Sequence, residues 1–595
     1  MSLSTLNEIF FSATERNLDR VMLYREVGKW LPLASSDLRR NVAGTARALR
    51  QCGVRQGDRV AILSENRPEW STADFAILLL GAVTVPVYAT LTPEQTAYTL
   101  SDSGATVVFV STEHQLRKVQ TILSQTQIQK IVVMDHIQLS GDLAATCVLM
   151  NQLTTYGSGT LDPEIESIAR SIQPDDLATI IYTSGTTGVS KGAMLTHGNM
   201  ASNIACSLLG FDMHPGQTSI SFLPLSHVTA RHVDFSMLYH GVTLAYCPFL
   251  ENLPATLLEV RPTVCVSVPR IYEKIYGKTE MQARGFAKSI IYHWALSVGR
   301  ANQPIILAGG TPASLSWKLA NKLVFSKIRD GLGGRVDTFI SGGAPLGREL
   351  AEWFANVGIR IHEGYGLTET SPVIAVNTPI NHRIGTVGKI LRNLEVRIAD
   401  DGEILVRGPS IFKGYWNRPE ETQNSFQDGW FKTGDIGHID AEGYLSVTDR
   451  KKELIKTSGG KFIAPQPIEN SLKLNPLVGT AVVVGDKRKF ACVLISPNFA
   501  PLEDWALSNG VSFSSRADLI ANAKVQSLYE ELVEQANEKL ARFEKLKRVV
   551  LVPDEFTAEN GALTPTMKLR RRLVEDRYRR QIEEVYAQAE AITGR

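Results

Sequence analysis

The chain has no paired cysteines. Its six, at 52, 147, 206, 247, 265 and 492, stand apart without a CxxC or a metal-ligand spacing, which excludes a zinc site and a disulfide framework and predicts reduced thiols in the cytoplasm. An excess of one charge is missing too: 63 basic against 61 acidic side chains give no global field to draw nucleic acid or another polyanion, so any anion site must be local. No apolar run reaches the roughly 20 residues that span a bilayer. The most apolar stretch, 75–89, is interrupted by Pro86 and reads as a buried helix followed by a strand. The first residues, MSLSTLNEIFFSATERN, have neither the long apolar core nor the small-residue cleavage site of a secretory signal. Internal repeats and low-complexity tracts are absent. What remains is a chain of 595 residues, 44% hydrophobic, long enough for two or more domains and a large buried core.

Short apolar runs alternate with amphipathic stretches over the first four hundred residues: RVAIL from 59, TVVFV from 106, KIVVM from 130, TIIYT from 179, TVCVSV from 263 and TFISGG from 338. This β/α alternation predicts largely parallel sheets covered on both faces. A helix over Ser35 to Cys52 is expected to open on serine caps and close at Gly53. After about residue 385 the segments LEVRIAD, GEILVRG and GYLSVTDR are short, alternating and joined by Asp-Gly or Glu-Gly turns, the pattern of antiparallel strands. Dense charge at Asp449 to Lys456 interrupts that pattern before β/α sequence restarts near Ala481, and we place a hinge there. The predicted organisation is a large α/β domain over 1–450, including a small β-barrel-like part, and a small mobile α+β domain over 451–595.

Residues Ile180 to Asn199 read IIYTSGTTGVSKGAMLTHGN. Thr183, Ser184, Gly185, Thr186 and Thr187 run without a bulky side chain, and Gly188, Ser190, Lys191 and Gly192 follow. Exposed backbone N–H groups, hydroxyls and one cation are the donors that a polyphosphate requires. The Walker order Gly-Lys-Ser/Thr opening a helix is absent, and Met194 and Leu195 predict a short strand before a helix begins near Thr196. The loop reads as a hairpin tip over a nucleotide; a solvated linker is the plainer interpretation of such a run taken alone.

Three further segments remove that ambiguity: EGYGLTET at 363–370, DGWFKTGDIGHIDAEGYLSVTDRKKELIK at 428–456 and LTPTMKLRRR at 563–572. In this order and spacing the four segments resemble the AMP-forming acyl-adenylate synthetases, which include acyl-CoA synthetases, beetle luciferases and peptide-synthetase adenylation domains. The resemblance covers nearly the whole chain. It implies ATP and coenzyme A as co-substrates, Mg2+ as the metal, and a site assembled from both domains. Lys191 and the hydroxyls around it would hold the β- and γ-phosphates. Glu369 offers a hard carboxylate oxygen to Mg2+, and Thr183 is the second expected metal ligand. Tyr365, between Gly364 and Gly366, supplies a flat face for adenine, and Gly343, Ala344 and Pro345 the opposite wall. Thr368 would contact the nucleotide phosphate, and Asp435 with Arg450 the ribose hydroxyls.

Lys568 is similar to the family lysine that reaches in from the mobile domain and bridges the substrate carboxylate and the α-phosphate. Arg570, Arg571 and Arg572 beside it read as a solvated helix start. Lys452 falls at the hinge position. Rotation there would withdraw Lys568 and present the face from Lys456 to Lys461, where Gly459 and Gly460 let a pantetheine chain approach the backbone. His227 matches the family position near the acyl and pantetheine groups. Residues 277–334 form a basic, aromatic-containing helical stretch similar to the insertion of long-chain acyl-CoA synthetases. The implied activity is a long-chain fatty acid:CoA ligase. An acyl-AMP ligase loading a carrier protein would carry an extra restraining segment, and none is evident between Ile384 and Arg450. A non-catalytic binding protein would not need Lys191, Glu369, Asp435, Arg450 and Lys568 together, and nothing indicates a luciferin pocket. The expected partners are the small-molecule substrates; a homodimer and peripheral contact with the inner face of the membrane are left open.

Overall fold

The structure is a computed structural model, and it describes residues 3–138, 146–154, 160–183, 190–283, 285–458, 461–557, 559–564 and 568–593. Two large sheets form the body of the first domain. One has eight strands and contains Arg59–Leu63, Val83–Val87, Val107–Val110 and Lys130–Val133 in parallel; the other has nine, with Val264–Ser267, Thr338–Ser341 and Ile361–Gly366 in parallel. Every strand expected from an apolar run is present within two residues. Helices cover the sheets because these strands are buried on both faces: Val107, Val108, Phe109 and Val110 are all within 2% of full burial.

The helix Ser35–Gln51 forms as expected and ends at Gly53 with φ +93°, but its N-terminus differs. The cap is Ala34, whose N–H donates to Asp37 at 3.2 Å, because the Ser35 hydroxyl is already committed to the Ala13 carbonyl at 2.7 Å. The stretch 75–89 is the end of a buried helix, Pro68–Leu79, followed by the strand Val83–Val87. At the interface of the two sheets, Arg231 makes a bidentate pair with Asp74 at 2.7 and 2.6 Å, each side chain 1% exposed. This pair locks the helix Val228–His240, whose Thr229, His232, Val233, Ser236 and Met237 line the cavity described below.

Beyond residue 385 the chain folds into a five-stranded antiparallel sheet. Its last two strands, Trp430–Ile439 and Leu445–Arg450, place Asp435 directly opposite Arg450. A separate core then begins, in which Ile463, Val483, Val493, Ile495 and Leu502 are fully buried around the strands Val478–Val484, Ala491–Pro497 and Leu546–Leu551. At the junction, Lys451 is held by the large domain through Asp401 and Glu403 at 2.5 and 2.7 Å. Glu453 faces Arg571 of the small domain at 3.8 Å. Lys452 lies exposed between them.

The helical stretch expected over 277–334 comprises the end of Pro269–Gln282, then Phe286–Leu307, Leu315–Ala320, Asn321–Phe325 and Ser326–Asp330. Helix Phe286–Leu307 lies against Arg348–Asn356, and Gly299 makes the approach close: a Cβ there would sit 2.1 Å from the Asn356 carbonyl oxygen. All six cysteines are free. Among the described residues no helix is long and apolar enough to cross a membrane.

Candidate active site

Strand Ile361–Gly366 ends at the cleft between the two domains, and Gly366 is dictated by its neighbours. A Cβ on Gly366 would overlap the Pro372 carbonyl oxygen at 1.7 Å. Between Gly364 and Gly366, Tyr365 projects its phenol to Asp435, donating at 2.7 Å, and the other oxygen of Asp435 meets Arg450 Nε at 3.3 Å. Burial raises the Asp435 pKa, with Arg450 and Tyr365 opposing the rise. For Arg450, burial works to lower the pKa, but Asp435, Glu453 and Glu369 outweigh it and hold the guanidinium firmly charged. The phenol of Tyr365 is pushed well above its ordinary range, first by burial and then by Asp435.

The hairpin that carries the Gly/Ser/Thr loop consists of Leu177–Thr183 and Lys191–Thr196, with Thr183 opposite Lys191. The helix begins at His197, as the sequence predicts, and Thr196 caps it by accepting from Asn199 N–H at 3.1 Å. Ser184, Gly185, Thr186, Thr187 and Gly188, at its tip, lie outside the described residues, as do Gly459 and Gly460. The base of the hairpin is braced: Tyr182 donates to Asp102 at 2.6 Å, Tyr98 to the Ser190 carbonyl at 3.0 Å and Trp416 Nε1 to the Asp102 carbonyl at 2.9 Å. Gly192 is forced by the opposing strand, since a Cβ would stand 2.6 Å from Ile180.

Tyr415, which the sequence reading missed, ties this hairpin to the GYGLTET segment. Its backbone pairs with Ala193, its phenol donates to Glu369 Oε1 at 2.7 Å, and Lys191 Nζ stands 5.4 Å from the centre of its ring. Lys191 also faces Glu421 at 3.9 Å. The signal available in sequence was GYW at 414–416, a glycine before two aromatics, where Gly414 has φ +137°. Thr368 is buried beside Glu369 in a single 3-10 turn.

The Thr564 hydroxyl accepts from the Lys568 N–H at 3.0 Å. The Lys568 side chain is open to the cleft but surrounded by protein. This desolvation lowers its pKa to about 8, Arg450 pushes the same way, and Asp435, Glu369 and Glu453 pull it back. Lys568 therefore lies within electrostatic reach of the residues expected to hold nucleotide and metal. Arg571 corrects the expectation of a solvated helix start. It is 10% exposed and pairs with Glu469 at 2.7 and 3.0 Å while donating to the Val483 carbonyl at 2.9 Å. Arg572 is exposed, as expected.

His227 is the N-cap of helix Val228–His240, its Nδ1 accepting from Thr229 N–H at 3.1 Å. That bond leaves the proton on Nε2, and burial followed by the Lys568 charge lowers the ring pKa to about 3. His227 is a neutral donor at the cleft, not a general base near pH 7. Gly343, Ala344 and Pro345 form an exposed turn after strand Thr338–Ser341, and Asn470 of the small domain donates to the Pro345 carbonyl at 3.4 Å. Lys456 stands on the ribbon Ile455–Lys456 and Phe462–Ile463, its ammonium 5.4 Å from the Phe462 ring centre, and its contacts lie within its own domain. Behind Tyr365 lies an apolar cavity of about 70 Å³, walled by Val266, Ile340, Met237 and Val376 and floored by Gly342 and Gly364.

A family model described as AMP-binding enzyme matches residues 10–416, and one described as AMP-binding enzyme C-terminal domain matches residues 452–590. The long-chain-fatty-acid–CoA ligase FadD15 of Mycobacterium bovis is 37% identical over 582 residues, covering 96% of this chain and 95% of its own. The peroxisomal long chain acyl-CoA synthetase 7 of Arabidopsis thaliana is 34% identical over 566 residues, covering 91% and 79%. In fold, the chain is similar to the adenylation domain of a carboxylate reductase from Mycobacterium chelonae, with a TM-score of 0.75, 24% identity and coverage of 98% and 91%.

Proposed function

Since this chain belongs to the AMP-binding enzyme family, we propose that it is a long-chain fatty acid:CoA ligase that forms AMP and works through an acyl-adenylate. The observation that carries this reading is the position of Lys568, which the small domain brings within electrostatic reach of Asp435, Glu369 and Arg450. In the first step a carboxylate oxygen of the fatty acid attacks the α-phosphorus of ATP and diphosphate leaves. Both reactants are anions, so the site must neutralise charge that their approach concentrates. Lys568 would bridge the attacking carboxylate and the α-phosphate. Lys191 and Thr183, with the loop beyond Thr183, would take the outer phosphates. Asp435, oriented by Tyr365 and Arg450, would accept from the ribose hydroxyls, and the ring of Tyr365 would face adenine, with Gly343, Ala344 and Pro345 opposite.

Glu369 fits Mg2+. Its Oε1 is oriented by Tyr415, leaving Oε2 as a hard ligand, and no group of three acidic, histidine or cysteine side chains among the described residues could hold a metal alone. A single carboxylate beside nucleotide phosphates is the arrangement Mg2+ takes. The ion would neutralise charge on the leaving diphosphate.

In the second step the sulfur of coenzyme A attacks the acyl carbonyl carbon, the thiol proton is lost and AMP departs. A turn about Lys452 would carry Lys568 out and bring in the ribbon around Lys456, with Gly459 and Gly460 along the pantetheine path. The anchoring of Lys451 to one domain and Glu453 to the other supports a pivot at that residue and a domain boundary at 450/451. The apolar cavity behind Tyr365 supports acyl binding there. A lipid acid as substrate also favours peripheral contact with a membrane.

The test is a panel of acids from acetate to oleate assayed for AMP with and without coenzyme A. Release of AMP and acyl-CoA with long-chain acids supports the reading; adenylation without transfer to coenzyme A would favour loading of a carrier protein. Absence of diphosphate exchange into ATP with any lipid acid would remove it.

A further inference from the structure

Exposed apolar side chains are not scattered evenly over this molecule. Of the 19 large ones among the described residues, nine fall between Met281 and Leu323, including Phe286 at 87% and Leu315 at 83% exposure. They follow helical spacing. On helix Phe286–Leu307 the exposed residues Phe286, Ile290 and Trp294 stand at i, i+4 and i+8, and the buried Tyr292, Ala295, Gly299 and Ile306 occupy the far face. Leu315, Leu319 and Leu323 repeat the spacing through the adjoining helical segment, with Trp317 and Ala320 turned inward. A helix that is apolar on both sides has a second face for something other than the core.

Charge identifies the occupant. Residues 281–329 contain seven Lys and Arg and no Asp or Glu, so the other residues carry 56 basic against 61 acidic side chains and are net negative. Lys288, Lys318 and Lys322 are exposed on the same helices as the apolar stripes. Apolar residues flanked by lysines, with no acidic group among them, are complementary to a bilayer with anionic headgroups: the apolar tips enter the acyl boundary and the ammonium groups stay at the headgroups. A second copy of this chain would set Lys288, Lys318 and Lys322 against like charges, which opposes pairing through this face. The insertion is rooted beside the site, since strand Val264–Ser267, whose Val266 walls the cavity, runs directly into helix Pro269–Gln282.

We propose that the helical insertion is the surface by which this enzyme docks on anionic membranes. The proposal rests on the ligase reading for its purpose, the capture of a lipid acid, but its test uses no substrate. The full chain is sedimented with vesicles of phosphatidylcholine alone and with 30 mol% phosphatidylglycerol, without ATP, acid or coenzyme A. Binding is expected on the anionic vesicles only and should weaken as salt is raised. Lys318→Glu with Lys322→Glu should lower the partition coefficient roughly tenfold or more, and Phe286→Ser with Leu315→Ser should also lower it. All four side chains are exposed, and unchanged acyl-CoA formation from detergent-dispersed acid would show each variant folded.

Equal binding to both vesicle types, or variants that bind as the parent does, would overturn the proposal. So would a variant that changes the sedimentation coefficient from dimer to monomer while vesicle binding persists, because a second copy would then cover the face. Failure of vesicle binding with intact acyl-CoA formation rejects the docking surface alone; failure of acyl-CoA formation rejects the ligase reading.

Discussion

Tyr365 donates to Asp435 at 2.7 Å across 70 residues of chain, so the aromatic face assigned to adenine and the carboxylate assigned to ribose are positioned by one another. Removing the hydroxyl with Tyr365→Phe leaves the ring and frees the carboxylate. A hydrogen bond to a charged group contributes about 1.5–3 kcal/mol, so KM for ATP should rise roughly tenfold to a hundredfold, with a smaller change in KM for the acid. Steady-state diphosphate release at varied ATP checks this; an unchanged KM would mean that Arg450 orients Asp435 without help.

The lowered pKa of Lys568, about 8, gives adenylation an alkaline limb. The lysine must be charged, so kcat/KM for adenylation should fall as pH rises through about 8, since that ratio reports the free enzyme. ATP phosphates raise the pKa of a nearby ammonium, so kcat should hold to higher pH. Lys568→Ala should lose about a hundredfold or more in adenylation while thioester formation from supplied acyl-adenylate survives better. Equal loss of both half-reactions would contradict the role given to this residue.

Glu369→Ala should raise the Mg2+ concentration needed for half-maximal adenylation steeply, and Tyr415→Phe should raise it less, because it loosens the carboxylate without removing it. Metal titrations of the two variants distinguish these outcomes. Identical curves for both and for the parent would assign the metal to another ligand.

Lys452→Pro fixes φ at the residue between the two anchored neighbours. Adenylation should persist while transfer to coenzyme A falls. Single-turnover measurement of each half-reaction checks the split; unaltered acyl-CoA turnover removes the pivot.

Arg571→Ala leaves Glu469, 8% exposed, buried without its partner. Breaking such a pair costs about 3–5 kcal/mol, and the small domain should melt earlier by calorimetry. Arg572→Ala, on an exposed neighbour, should leave the transition where it was.

Much of this was legible in the chain itself. Strand positions followed from apolar runs because covered parallel strands are buried on both faces; Lys191 and Glu369 stood out by their chemistry inside a glycine- and hydroxyl-rich loop and the GYGLTET segment, whereas Asp435, Arg450 and Lys568 were marked by the resemblance of their segments to the acyl-adenylate synthetases. Tyr415 did not stand out, since a single tyrosine carries no mark of the glutamate 46 residues away that it orients. Arg571 reads as solvated within a run of three arginines, and only Glu469, 102 residues earlier, makes it a buried anchor. His227 has the residue type of a base, yet burial and the nearby Lys568 keep it neutral.

The sequence by itself determined the periodicity of each element and the chemical kind of each reactive group, because those depend on covalent neighbours a few residues apart. Tertiary structure alone decided which groups are desolvated, which are paired, and that Lys568 comes within electrostatic reach of Asp435. Burial and Coulomb interactions depend on distance in space, and here the deciding partners lie tens to hundreds of residues apart along the chain.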